Sequence, residues 1–177
     1  NESSDSFQAH VSKYDELTGL LKREAFSEAV MRIIKANREK VAYGEYALVY
    51  FDIIRFKAIN DMFGLMAGDA LLKHMADVIM HAAKENDVAC RLEADRFVFF
   101  TNHSGEELEQ LIERLIEEIT QYDLTFKITC NVGIYVTNER ALSVDSMIDR
   151  AVLALSSIKG SYTSKYNFFT ESLRNEM

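Results

Sequence analysis

The chain has 177 residues, of which 48% are hydrophobic and 27% are charged, which is enough for one domain with a sizeable core and an ordinary polar surface. Its net charge of −8 argues against non-specific binding of nucleic acid, which relies on a basic surface. The sequence shows no apolar run of roughly 18 residues and no signal peptide. Its two cysteines, Cys90 and Cys130, lie in strand-like runs and form no disulfide framework. We therefore expect a cytoplasmic domain that contacts neither a membrane nor nucleic acid, whether or not a longer parent protein is membrane-anchored.

The spacing of apolar residues predicts the first half of the secondary structure. Apolar residues recur at three- and four-residue steps from Leu17 to Ile34, which predicts a helical region that follows a polar start and ends near residue 40. The continuous apolar run 47–51 is typical of a buried strand. After the glycines of the next segment, an apolar face predicts a helix from Asp69 to about Lys84.

The second half is predicted to alternate strands with helices. Two apolar runs joined by the short segment 93–96 have the spacing of a hairpin. Ser104 with Glu107 three residues later is a capping-box pattern at the start of a helix. The other predicted elements are strands 88–92, 97–101, 126–136 and 166–169 and a helix from Ser143 to about Ile158. These elements predict an α+β fold, with helices packed on a central, mostly antiparallel sheet of about five strands.

Four blocks of sequence have a recognisable order and spacing. DELTGLLKREAF at 15–26 follows the pattern DxLTGLxNRxxF, with Lys22 in place of Asn. FDIIRFKAINDMFGLMAGD at 51–69 follows FDIDxFKxINDxxGHxxGD and departs from it at Ile54 and Leu65. RLEADRF at 91–97 stands where RxGGDEF belongs, and CNVGI at 130–134 stands where a Ser-x-Gly-Ile strand belongs. Together they resemble the GGDEF, or diguanylate cyclase, domain family, which implies the ferredoxin-like palm of nucleotide cyclases.

The resemblance implies a nucleotide site and its chemistry. Working enzymes of the family join two GTP molecules into cyclic di-GMP, and each subunit of a dimer holds one GTP. The attack of a ribose 3′-oxygen on an α-phosphorus needs divalent cations and acidic ligands beside the triphosphate. With an intact site, this chain would therefore bind GTP with Mg²⁺ in a homodimer. The matching residues are Asp52, Ile53 (through its carbonyl) and Asp95 for the metal, Asn60 and Asp69 for the guanine edge, and Phe56 and Lys57 for the phosphate-binding turn.

The turn of the hairpin departs from the family pattern. Glu93 and Ala94 replace the two glycines that let the backbone approach phosphate closely, and Arg96 replaces the second acidic residue. A cation there opposes metal binding by Coulomb repulsion, although the arginine could also form a surface ion pair with Glu93 or Asp95. Ile54 replaces the second aspartate of the DID triplet. The catalytic turn is therefore predicted to be degenerate.

Two further binding motifs are altered. In place of the family pattern ADxALYxAKxxGRN, the last long helix has Ser156 and Gly160 where phosphate-binding Lys and Arg belong, with Lys159 nearby but out of register. The inhibitory motif RxxD becomes KEND, in which Lys84 loses the bidentate fork of arginine and Asp87 is kept. We therefore do not expect cyclic di-GMP to bind at this degenerate inhibitory site.

Several of these residues also have simple structural interpretations. Asp52 could cap the turn after its strand, Asn60 could be a turn former, and Asp69 could be a helix N-cap. His74 and His81 stand seven residues apart, which is two helical turns and too far to share one metal ion easily. The sequence leaves these structural roles open beside the binding roles.

The sequence predicts three segments and one main function. Residues 1–13 would continue from an upstream sensory module, 14–169 would form the GGDEF domain, and 170–177 would begin a helix that could lead to an EAL phosphodiesterase domain. We interpret the chain as a degenerate GGDEF domain of a bacterial cyclic di-GMP signalling protein, a GTP-sensing or dimerising module without cyclase activity. The alternatives are a weakly active diguanylate cyclase and a nucleotide-free interaction scaffold.

Overall fold

A five-stranded mixed sheet forms the centre of the computed structural model, which describes residues 13–122, 127–159, 161 and 163–175. The strands are β1 (Ala47–Ile53), β2 (Val88–Glu93), β3 (Arg96–Thr101), β4 (Cys130–Val136) and β5 (Tyr166–Phe168), in the order β2-β3-β1-β4-β5. β1 pairs antiparallel with β3 and with β4, β2 pairs antiparallel with β3, and β5 runs parallel to β4. The predicted α+β fold with a mostly antiparallel sheet is confirmed.

Helices cover both faces of this sheet. They are α1 (Arg23–Ala36), α2 (Arg38–Ala42), α3 (Phe56–Phe63), α4 (Leu65–Ala82), α5 (Gly105–Thr120), α6 (Val144–Ser156) and α7 (Glu171–Asn175). Because side chains alternate along a strand, Val49 and Phe51 lie in one core with α3, α4 and α5, whereas Leu48 and Tyr50 lie in the other core with α1 and α6. β1 is buried on both faces, which explains its continuous apolar run.

The close contact between α6 and β4 depends on Gly133. A β-carbon at this glycine would overlap the carbonyl oxygen of Ala151 and lie 2.9 Å from the backbone nitrogen of Leu155. Because those atoms belong to the helix backbone, no side-chain rotation relieves the contact. The glycine therefore fixes how α6 lies on the sheet, and with it the residues that follow the helix.

The segment before α1 is a loop, which corrects the prediction that the helical region already includes Leu17. Asp15 accepts hydrogen bonds from the backbone nitrogen of Thr18 (2.9 Å) and from its hydroxyl (2.7 Å), and Gly19 has a φ of 77°. The resulting turn places Leu20 in the core, where it is 5% exposed. The leucines at helical spacing thus anchor a loop whose shape is set by the aspartate and the glycine.

Other boundaries also differ from the prediction. α4 begins at Leu65, so Asp69 lies inside the helix and is not its N-cap. Asn60 lies within α3 and is not a turn former. Ser104 precedes α5 without making a capping hydrogen bond, whereas Ser143 accepts one at the start of α6. The apolar pattern located these helices but not the residues at which they begin.

The segment 1–12 and the predicted first strand residue Phe126 lie outside the described residues. Residues 127–129 are described and are not part of a strand, so the predicted strand 126–136 begins only at Cys130. The helix predicted after residue 170 is present as α7. Within the part of the chain that the structure describes, no helix is both long enough and apolar enough to cross a membrane.

Candidate functional site

The end of β1, the β2–β3 turn and the last turns of α6 border one cavity. Its volume is about 370 Å³, and the side chains around it carry charges of both signs. β1 contributes Asp52, the hairpin contributes Glu93 and Arg96, and Lys159 follows α6. The structure therefore brings the hairpin turn, one predicted metal ligand and the end of the altered helix to one place.

Asp52 and Asp95 form a pair of facing carboxyl groups. Asp95 Oδ2 accepts a hydrogen bond from the backbone nitrogen of Ile53 (2.9 Å), and its carboxyl group lies within hydrogen-bonding reach of that of Asp52. Burial, together with the contact and the negative charge of Asp52, raises the pKa of Asp95 to about 7. A nearby cation would stabilise this pair.

The carboxylate pair suits a hard divalent cation. Mg²⁺ prefers oxygen ligands and commonly combines one or two carboxylates with water and phosphate oxygens. Among the described residues, no group of three or more His, Cys, Asp or Glu side chains is arranged to hold a metal. Asp52 and Asp95 would therefore share an ion with water or phosphate oxygens, and the carbonyl of Ile53 stays a predicted ligand.

An exposed ion pair joins the two residues that flank the hairpin turn. Arg96 Nη1 lies 2.8 Å from Glu93 Oε1, which is one of the partners that the sequence suggested. β2 and β3 each extend one residue beyond the prediction, so the turn itself is Ala94 and Asp95. Ala94 has a φ of 43°, a left-handed conformation that costs a non-glycine residue about 1–2 kcal/mol. The Ala94 carbonyl accepts a hydrogen bond from Arg91 Nε (2.8 Å), which further fixes the turn.

Asn60 and Asp69, the residues that match the guanine-binding positions, lie on the adjoining helices α3 and α4. A β-carbon at Gly68 would overlap Asn60 Oδ1 and lie 2.9 Å from its Cγ, so the carboxamide rests directly on the α4 backbone. Asn60 is half-buried and Asp69 is exposed. Neither side chain makes a hydrogen bond or ion pair with another described residue, which leaves both polar groups available to a ligand.

Phe56 and Lys57 are the first residues of α3 and differ in their surroundings. Phe56 is 9% exposed and belongs to the core, whereas Lys57 is exposed. Arg55, just before them, has a φ of 58°, so the chain enters the helix through a left-handed residue. Of the two residues, Lys57 is the one whose ammonium group could bind a phosphate.

Lys84 and Asp87 are engaged in structural contacts. Asp87 accepts hydrogen bonds from the Lys84 backbone nitrogen (2.9 Å) and from the Thr101 hydroxyl (2.6 Å). It also accepts one from the Asn102 backbone nitrogen (3.0 Å), and Lys84 Nζ donates to the Asn102 carbonyl (2.6 Å). These contacts clamp the start of β2 to the end of β3.

His103 extends this clamp and was not found from the sequence. Its Nδ1 lies 2.6 Å from the Thr101 hydroxyl, which already donates to Asp87, so Nδ1 carries a hydrogen and donates it. Burial, followed by the positive charge of Lys84, lowers the pKa of His103. A single histidine in a short connection belongs to no periodic pattern, so the sequence offered no signal for it.

The end of α6 has a serine at the position that matches the family's phosphate-binding lysine, and a lysine follows three residues later. Ser156 Oγ donates to the Val152 carbonyl of its own helix (2.9 Å). Lys159 Nζ, although out of register in the sequence, lies 3.8 Å from Asp52 Oδ2. Gly160, which replaces the family's arginine, lies outside the described residues.

The two histidines of α4 contact backbone carbonyls. His74 Nε2 lies 2.8 Å from the Glu118 carbonyl oxygen, and His81 Nδ1 lies 2.6 Å from the Asp77 carbonyl oxygen. These contacts account for both histidines without a metal ion.

Comparison with known proteins identifies sequence relatives that align with most of this chain. The sequence model described as diguanylate cyclase, GGDEF domain, matches residues 12–165. The diguanylate cyclase DgcP of Pseudomonas aeruginosa is 35% identical over 146 residues, which are 78% of this chain and 22% of that protein. The cyclic di-GMP phosphodiesterase NbdA of the same organism is 29% identical over 169 residues, or 92% of this chain and 21% of that protein. The chain thus spans about a fifth of the length of either relative.

A solved structure shows the same fold. The coiled coil and GGDEF domain of DgcB from Caulobacter crescentus, in complex with c-di-GMP, superposes with a TM-score of 0.78 at 22% identity and covers 94% of each chain. The likeness agrees with the five-stranded sheet and its flanking helices.

Proposed function

The chain belongs to the GGDEF domain family of cyclic di-GMP signalling proteins, and we propose that its function within that family is regulatory: it binds GTP and does not cyclise it. Binding would rest on Asn60 and Asp69, whose polar groups are not committed to other described residues. An amide and a carboxylate together offer the donor and acceptors that complement a guanine edge.

The observation that best supports the proposed absence of cyclase activity is the altered hairpin turn. The Glu93–Arg96 ion pair lies where two glycines and an acid would give phosphate access to the backbone. Ala94 adds a methyl group and a left-handed backbone at the same place. Phosphoryl transfer depends almost entirely on positioning and charge stabilisation, so a turn whose side chains hold the phosphates away from its backbone would lose the main contribution.

The phosphate-binding end of α6 supports the same conclusion. Ser156 stands in place of a cation, and its hydroxyl is bonded to its own helix. Lys57 is the exposed cation at the start of α3 that could still contact a phosphate. We therefore expect GTP to be held mainly by its base. Asp52 and Asp95 would hold the Mg²⁺ ion that accompanies the phosphates.

Two alternatives keep a specific observation in their favour. The Asp52–Asp95 carboxyl pair is still assembled, which is what a weakly active diguanylate cyclase would need. In the Lys159–Asp52 contact, a lysine ammonium group lies beside the carboxylate that would otherwise contact a metal ion, which suits a nucleotide-free scaffold. The three functions differ in whether GTP binds and whether product forms.

The parent protein is also part of the proposal. NbdA and DgcP are about five times as long as the aligned segment, which leaves room for further domains. We propose that such domains are a sensory module before this domain and an EAL phosphodiesterase domain after it. In such a protein residues 14–169 would form the regulatory domain on the cytoplasmic side, and GTP occupancy or pairing of two copies would control its neighbours.

Calorimetric titration with GTP and Mg²⁺ tests the binding claim. We expect saturable binding of GTP and none of ATP, because the ATP base presents the opposite donor and acceptor pattern to Asn60 and Asp69. Asp69→Asn should abolish GTP binding while leaving thermal unfolding unchanged, since the side chain is exposed. Asp77→Asn, an exposed aspartate on the same helix, is the matched control and should bind normally. Absence of GTP binding to the unmodified chain would leave only the scaffold function.

A further inference from the structure

The carboxyl pair of Asp52 and Asp95 concentrates negative charge at the end of β1. The Asp52 side chain is 19% exposed, so water compensates its charge only in part. Asp95 is held in place by the Ile53 backbone nitrogen and cannot turn away without losing that hydrogen bond. While both carboxyl groups are ionised they repel each other, and a cation beside them would relieve that repulsion.

Lys159 is positioned to be that cation. Its Nζ lies 3.8 Å from Asp52 Oδ2, close enough for an ion pair. The backbone leading to it is held by Asn167, whose Nδ2 donates to Ser157 Oγ (2.7 Å) and to the Ala154 carbonyl (3.2 Å). The end of α6 is therefore tied to β5 two residues before the lysine.

The other described cations around the cavity are already paired elsewhere. Arg96 is bound to the hairpin at 2.8 Å, and Arg23 is bound to Asp145 at 2.9 Å. Lys159 differs from both because its partner is a member of the carboxyl pair itself. Its ammonium group therefore competes with any metal ion for Asp52.

We propose that Lys159 is a built-in cation that takes the place of a divalent metal at the Asp52–Asp95 pair. Its side chain is 65% exposed, so it does not block the cavity sterically and acts through its charge. A metal ion that approaches Asp52 must displace the ammonium group or bind beside a like charge. In the absence of nucleotide the domain thus holds its carboxyl pair together without Mg²⁺ or Mn²⁺. This inference does not depend on GTP binding.

Mn²⁺ binding to the nucleotide-free protein, measured by electron paramagnetic resonance of the free ion, tests the proposal. Lys159→Gln removes the charge and keeps most of the side-chain length, so it should bind Mn²⁺ about tenfold or more tightly than the unmodified chain. Lys159→Arg should behave like the unmodified chain. Lys165→Gln is the matched control, because Lys165 is also exposed but lines other cavities.

A second pair of variants locates the ion. Asp52→Asn in the Lys159→Gln background should remove the gained Mn²⁺ affinity, and circular dichroism should show that each variant is folded. The proposal is overturned if Lys159→Gln and the unmodified chain bind Mn²⁺ equally, whether both bind or neither does. It is also overturned if the gain persists without the Asp52 carboxylate.

Discussion

Replacing Gly68 with alanine tests whether the α4 backbone positions the Asn60 carboxamide. The new β-carbon would overlap Asn60 Oδ1, lie 2.9 Å from its Cγ and lie 3.4 Å from Phe56 Cζ. Asn60 Oδ1 is at the far end of a side chain that can rotate, so we expect the Asn60 amide to be displaced while α4 stays intact. Overpacking of this kind costs about 1–3 kcal/mol, and alanine in a helix regains about 0.5–1 kcal/mol over glycine.

The expected result is a net loss of about 0–2.5 kcal/mol in the free energy of unfolding, measured from the urea midpoint. In an Asn60→Ala background the obstacle is gone, so Gly68→Ala should become stabilising by about 0.5–1 kcal/mol. GTP affinity should fall to the level of the Asn60→Ala variant, and the double variant should lose nothing more. The reasoning is refuted if Gly68→Ala changes stability by the same amount in both backgrounds.

Three further changes should follow the same physical reasoning. Gly133→Ala should cost about 3 kcal/mol in urea denaturation, because its β-carbon meets helix backbone that cannot rotate away, and a loss below 1 kcal/mol would contradict the packing. The lowered pKa of His103 means that the folded state favours the neutral ring, so thermal stability should fall as the pH drops below about 6.5, and His103→Gln should flatten that slope. Asp15→Asn should lower the free energy of unfolding by about 2 kcal/mol, because it leaves the 17%-exposed Arg91 side chain without its anion. Asp145→Asn, at an exposed ion pair, should lower it by less than 1 kcal/mol, and equal losses from the two variants would refute this.

The parts of the fold that the sequence predicted are those with an unambiguous period. β1 was predicted because both of its faces are buried and its apolar run is unbroken. The loop 15–21 was predicted as helix because its leucines have helical spacing, although Asp15 and Gly19 impose a turn. α4 was predicted to begin at Asp69 because glycines usually interrupt a helix, yet Gly68 is within it to admit Asn60.

The candidate site was predictable only where residue type and position agree with the family. The facing of Asp52 and Asp95 followed from the resemblance, because one ends a strand and the other lies in the hairpin that pairs with it. The contact of Lys159 with Asp52 was not predictable, because it depends on how the chain leaves α6. The Asp87–Thr101–His103 network was missed because hydrogen bonding across strand ends leaves no period in the sequence.

The most direct test of the account is chromatography for cyclic di-GMP after incubation of the chain with GTP and Mg²⁺ or Mn²⁺. A variant that carries Ile54→Asp, Glu93→Gly, Ala94→Gly, Arg96→Glu, Ser156→Lys and Gly160→Arg serves as the positive control, because it restores the family residues at the altered turn, the DID triplet and the phosphate-binding positions. We expect the unmodified chain to bind GTP and form no product, and the restored variant to form product. Cyclic di-GMP made by the unmodified chain would show that the altered turn is tolerated and would contradict the central claim.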